Sequence, residues 1–132
     1  MGNRNSKQTQ YTVSYSDLSA AATTNDIALF TLPAGHVLES LDIQHATAFN
    51  GGAISAYTVS VGIAGDLAKF ASAFDVFQTP GGTVGQRSVC EALESTTRNT
   101  TVRIAATSTG ANLSVASQGS VIVIATTRKV FN

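Results

Sequence analysis

Period-two alternation runs through most of the chain from Tyr11 onward, and no other feature limits the possible folds so strongly. β-Branched and aromatic residues alternate with small polar ones, so that one set faces a core and the other faces water along half-buried strands. Tyr11, Val13 and Tyr15 share a face opposite Thr12, Ser14 and Ser16. Val37, Leu41 and Ile43 are expected inward, with Ser40, Asp42 and Gln44 outward. Tyr57, Val59, Val61 and Ile63 alternate with Thr58, Ser60 and Gly62. Further strand candidates are Val102-Ile104-Ala106, Leu113-Val115 and Val121 to Ala125, with a brief one around Val89. Ile27 to Leu32 is apolar on both faces and reads as a central strand. After it, Pro33 fixes φ and Gly35 permits a positive φ, which predicts a turn.

One stretch departs from alternation. Leu67, Phe70, Phe74 and Phe77 fall at helical spacing behind a possible N-cap at Asp66, as a short helix or a folded-over apolar loop would have them. Pro80-Gly81-Gly82 ends it, and Asn50-Gly51-Gly52 marks another loop. Seven or eight short strands with Gly-rich connections and no long helix predict an all-β chain: a single β-sandwich or jelly-roll-like domain over residues 11–132. Its core is predicted to contain Leu41, Ile43, Val59, Val61, Val102, Ile104, Val121 and Val123. Residues 1–10 carry nothing to anchor them to that core and are expected to form a flexible polar arm.

Composition narrows the function. With 132 residues the chain can bury a core without disulfides or metals, yet its charged content is 12%, about half the ~25% usual for soluble domains. The surface is therefore built from Ser, Thr, Asn, Gln, Gly and Ala, which desolvate at low cost and suit a protein living in an assembly, although the same low charge fits a secreted domain and composition alone does not separate the two. A homo-oligomer is expected, with a trimer preferred, its axis lined by outward apolar side chains such as Ala105 or Ile122. Net charge is zero and the basic residues are dispersed, so the positive footprint of a nucleic-acid binder is missing. Cys90 is the single cysteine, which rules out an intrachain disulfide and suits folding in a cytosol. No apolar run approaches the ~20 residues of a membrane span, and Met1 to Lys7 contains no apolar export region, so a soluble chain is expected.

Catalytic arrangements are poorly supported. A hydrolase would combine His36 or His45 with Ser88 or Cys90 and with Asp17, Asp42 or Asp75, but Arg87-Ser88-Val89-Cys90-Glu91 lacks a Gly-flanked nucleophile elbow. Strand parity puts His45 with Leu41 and Ile43 as a partly buried polar side chain, and His36 follows a turn and faces solvent. Two histidines without close pairing do not make a metal site. Gly51-Gly52 and Gly81-Gly82 read as turns rather than a phosphate loop. No enzyme activity, cofactor or metal is expected. Met1-Gly2 with Ser6 fits a loose myristoylation pattern, and Asn99-Thr100-Thr101 and Asn112-Leu113-Ser114 fit glycosylation sequons, but an unmodified arm and ordinary loops account for them.

The segments Phe30-Thr31-Leu32-Pro33-Ala34-Gly35, Ala48-Phe49-Asn50-Gly51-Gly52 and Tyr57-Thr58-Val59-Ser60-Val61-Gly62, continued by Phe74-Asp75-Val76-Phe77, Gly110-Ala111-Asn112-Leu113 and Gly119-Ser120-Val121, together resemble the small β-sandwich virion proteins of tailed bacteriophages, particularly head decoration (cement) proteins. The resemblance spans Tyr11 to about Arg128. It implies a protein made in the host cytoplasm that sits on the outer surface of the virion capsid. There it would contact the major capsid protein and copies of itself, bridge neighbouring capsomers and stabilise the shell, without binding nucleic acid or membrane. The expected contact residues are the arm, Gly2, Asn3, Arg4, Asn5, Ser6 and Lys7, and two loops, Phe49, Asn50, Gly51, Gly52 and Thr79, Pro80, Gly81, Gly82. The alternative is a receptor- or glycan-binding module of a phage tail or fibre, with Tyr57, Phe49 or Phe77 as exposed stacking platforms.

Overall fold

The computed structural model describes residues 6–77, 86–93 and 97–130, with the second of these as backbone only. Eight strands follow in order: β1 Lys7–Ser14, β2 Thr24–Leu32, β3 His36–Asn50, β4 Ala56–Ile63, β5 Asp66–Asp75, β6 Gln86–Leu93, β7 Thr100–Thr109 and β8 Gln118–Lys129. They form two four-stranded sheets, ordered β1-β8-β3-β6 and β2-β7-β4-β5, with every neighbouring pair antiparallel. Only the β4–β5 connection stays within a sheet; each other connection crosses to the opposite one. That is the strand order of an eight-stranded jelly roll.

The core forms where alternation predicts it. Leu41, Ile43, Val61, Val102, Ile104, Val121 and Val123 are fully buried, and Val59 nearly so. The Pro33 turn also forms as read: Gly35 has φ 75°, and the His36 amide donates to the Pro33 carbonyl at 3.1 Å. Asn99 Oδ1 accepts the Ala34 amide at 3.0 Å and holds the turn from outside.

Five details differ from the sequence reading, most of them because bulges reset a strand's phase. Residues 66–75 are strand β5, not a helix or loop: Val61 pairs with Ala71 but Ile63 with Asp66, and Val59 pairs with Phe74, so β5 carries extra residues twice against β4. These insertions space Phe70 and Phe74 four apart while both pack toward the core, which imitates helical periodicity. Gly62 makes room for the first insertion, since a Cβ there would overlap the β5 backbone at Asp66 to Lys69. β2 is an edge strand rather than a central one, and a bulge between Ala28 and Phe30 explains why apolar residues fall on both of its phases. On β3 a bulge at Glu39 puts Leu38, rather than Val37, in register with the row of Leu41 and Ile43, although both are buried.

Leu113–Val115 is a single 3-10 turn rather than a strand, because its amides are taken from one side only: Leu113 N–H donates to Ala22 O at 2.8 Å and Ser114 N–H to Ala20 O at 3.0 Å. Finally, Lys7 to Gln10, assigned to the arm, are the first half of β1 and pair with Thr127 to Ile124 of β8. They lack large apolar side chains, but β8 offers them a free sheet edge, and backbone pairing suffices to order a polar strand there.

Candidate interaction surfaces

The strand directions sort the described connections to one of two ends of the sandwich. At one end, called here the loop end, lie residues 15–23, 51–55, 76–77 and 110–117. At the other, the arm end, lie Ser6 and Lys7, the Pro33 turn, the tight turn at Ala64-Gly65, residues 97–99, and the end of β8 at Lys129.

The loop end is closed by aromatic packing. Phe49 is fully buried, tilts against buried Tyr57 with ring centroids 4.7 Å apart, and receives the backbone of Gly119 so closely that a Cβ there would overlap its ring. The Phe49 amide donates to Val76 O at 2.9 Å and the Val76 amide to Tyr57 O at 3.0 Å, stitching the base of the following loop onto the same core. Phe49, expected as a contact residue, is therefore core, and the exposed stacking platform expected of Phe49 and Tyr57 is not formed; Phe77 is half-buried. Next to it, Asn50 O accepts the Ser117 amide at 2.9 Å, and Gly51 lies against the Val115–Ser117 backbone with no room for a Cβ. Gly52 (φ 46°) sits beside the Val115 side chain. Gly52 is exposed and so is Val115, at 40%, the most exposed of the large apolar side chains among the described residues. Sequence reading missed Val115 as a surface residue because it was assigned to a strand. Thr79, Pro80, Gly81 and Gly82 lie outside the described residues, as do Gly2, Asn3, Arg4 and Asn5.

At the arm end, Ser6 Oγ donates to Glu39 Oε1 at 2.9 Å and Arg128 Nε donates to Glu39 Oε2 at 2.8 Å. The β3 bulge at Glu39 thus holds both the root of the arm and the end of β8. On the opposite phase, Tyr11 of β1 stacks on Phe30 of β2 across the gap between the sheets, at 5.0 Å and 9°. Ala105 and Ile122 are half-buried on the outward phases of β7 and β8, Ile122 alongside the similarly half-buried Ile124.

Among the described residues the titratable groups do not assemble into a reaction centre. His45 is 3% exposed, its Nε2–H donates to Thr47 O at 3.1 Å, and burial lowers its pKa against smaller opposing effects of that bond and of Asp75. Asp42, three positions away, belongs to the outward phase of β3, so it does not orient His45. His36 is half-buried, its ring bonded to Ala34 O at 3.2 Å, at the opposite end of β3 from His45. The side chains of Ser88 and Cys90 lie outside the described residues. Among the described residues no group of three His, Cys, Asp or Glu side chains could hold a metal, and no helix is long and apolar enough to cross a membrane.

Chains of phage capsids are similar to this two-sheet fold. The chain is similar in fold to a chain of the cyanophage Pam1 capsid asymmetric unit, with 23% identity, 96% of this chain and 86% of that chain covered, and a TM-score of 0.67. It is likewise similar to a chain of the Ralstonia phage GP4 capsid (18% identity, 97% and 86% covered, TM-score 0.56). A chain of the acid-stable capsid of the Helicobacter pylori bacteriophage KHP30 is also similar (12% identity, 98% and 95% covered, TM-score 0.55). No family model matches the sequence, and no curated protein matches it.

Proposed function

We propose that this chain is a virion structural protein that decorates the outer face of a bacteriophage capsid and stabilises it by bridging neighbouring capsomers. The carrying observation is the end-to-end likeness to a phage capsid chain, which includes 96% of this chain and 86% of the other. A shared fold alone does not make a shared function; the surfaces supply the rest. Bridging needs two separate contact regions, and we take them to be the two ends of the sandwich: the arm root at Ser6 and Lys7, and the loop surface around Gly52 and Val115 with Asn50 and Gly51. Low charge lets such surfaces desolvate cheaply against a shell. The homo-oligomer, with a trimer preferred, belongs to the same proposal, and the apolar Ile122–Ile124 row on the outer phase of β8 is a surface it would use.

The test is direct. Purified full-length protein is mixed with empty expanded capsids of its source virus and co-sedimented, and the heat resistance of the shells is followed. Saturable attachment with shells that open at higher temperature is expected, and no attachment would refute the proposal. Because β1 begins at Lys7, the arm should be removed as residues 2–6 only. Occupancy should then fall while circular dichroism of the β-domain stays unchanged.

A further inference from the structure

The inward phases of β1 and β8 are apolar in the middle of the sandwich and cationic at the arm end. Val13, Val121 and Val123 are buried in the core; toward the arm end the same phases continue as Tyr11, Thr9 and Lys7 on β1 and Ala125, Thr127 and Lys129 on β8. His36 pairs with Lys129 across the β3–β8 register. These positions line a cleft of about 320 Å³ between the two sheets, with the Tyr11–Phe30 stack among its walls. Two of the chain's three lysines therefore stand on a face that alternation otherwise reserves for the core.

Nothing in the described part of the chain neutralises them. The carboxylates that form described ion pairs, Asp26 and Glu39, are held by Arg103 and Arg128, and none lines the cleft. A cleft with aromatic walls, two cations at its mouth and no acid among its described lining residues complements a ligand with an apolar side chain flanked by carboxylates. Its two long sides are β1 and β2, the edge strands of their sheets, so an extended segment can add its backbone to either while its side chains reach the stack and the lysines.

We propose that this cleft is the docking site for an extended acidic segment of the capsid shell subunit, with an apolar side chain against Tyr11 and Phe30 and carboxylates on Lys7 and Lys129. The inference rests on the decoration reading and names the contact through which that attachment is made.

Decorated particles carrying the full chain would be treated with a water-soluble carbodiimide, which condenses a lysine amine with a carboxylate at salt-bridge distance, and the amides mapped by mass spectrometry. Lys69, on β5 away from the cleft, is the internal reference. Cross-links from Lys7 and Lys129 to Asp or Glu residues of the shell subunit are expected. The Lys7→Glu/Lys129→Glu variant should fold as the parent does, lose about tenfold in attachment affinity and lose most of its salt dependence. Cross-links to the shell from Lys69 alone, cross-links from Lys7 and Lys129 only to other copies of this chain, or a charge-reversed variant that attaches unchanged would each overturn the inference while leaving decoration intact. Failure of the parent protein to attach to shells would overturn both.

Discussion

The two ends of the sandwich are built from the same strands by the same alternation, yet among the described residues one is sealed and the other open. At the loop end the inward positions are Phe49 and Tyr57, with Leu18, Ile54 and Leu113 from the connections folding down as a lid, all of them 6% exposed or less. At the arm end the corresponding positions on β1 and β8 are Lys7, Thr9, Thr127 and Lys129, and Tyr11 and Phe30 stay half-buried. Alternation decides which way a side chain points, whereas residue type decides whether the end closes. A closed end contributes stability. An open end whose lysines meet no described carboxylate is the surface proposed above for a partner.

The largest expected effect lies at the sealed end. Phe49→Ala empties the centre of its aromatic packing and should cost about 3–5 kcal/mol, read as a shifted urea midpoint. A loss under about 1 kcal/mol would mean that Phe49 behaves as the surface residue it was expected to be from sequence. Gly119→Ala pushes a methyl group into the Phe49 ring and should cost about 1–3 kcal/mol. The two changes should be partly non-additive, since removing the ring relieves its overlap with the new methyl group but leaves the approach to the Phe49 Cα and the positive φ of Gly119, and a double-mutant cycle measures the coupling.

A smaller effect at the same end is pH-dependent. His45 has a lowered folded pKa, so the unfolded chain binds its proton more readily. The contribution is present above the unfolded value of about 6.5 and is lost as the pH falls through the folded value. Tyr57 acts at the other extreme: burial raises it to about 12, its hydroxyl has no partner among the described residues, and stability should fall between the ordinary tyrosine value of 10.0 and that pH. Unfolding curves across pH should show both shoulders. His45→Gln should flatten the acid one and Tyr57→Phe the alkaline one.

The smallest expected effect is at the open end. Lys7→Glu and Lys129→Glu should each change stability by no more than about 0.5 kcal/mol, because both side chains are exposed and meet no described carboxylate. A larger loss would show that the arm end is held together by those charges, and the contrast between the ends would fail.

Much of this was legible in the residues. The core list follows from period-two alternation, and the Pro33 turn from its proline and glycine. The bulges were not legible, because an inserted residue resets the phase without any fixed sequence mark; Phe70 and Phe74 therefore looked helical, and Ile27 to Leu32 looked central. The order of the strands was also hidden, since it depends on pairing between distant residues. Phe49 looked like a loop aromatic beside Asn50-Gly51-Gly52, and its burial against Tyr57 and the close approach of Gly119 show that it is core. The cationic cleft combines Lys7 and Lys129, which lie at opposite ends of the sequence and become neighbours only through the β1–β8 register.

Hydrogen exchange of the free protein against the shell-bound protein tests the central claim most directly. Attachment through the open end predicts new protection at residues 6–11, 30–36 and 125–130, with the amides around Phe49 already slow to exchange in the free protein and unchanged on binding. Protection gained only at residues 51–55 and 110–117, with β1 and the end of β8 unaltered, would contradict the account.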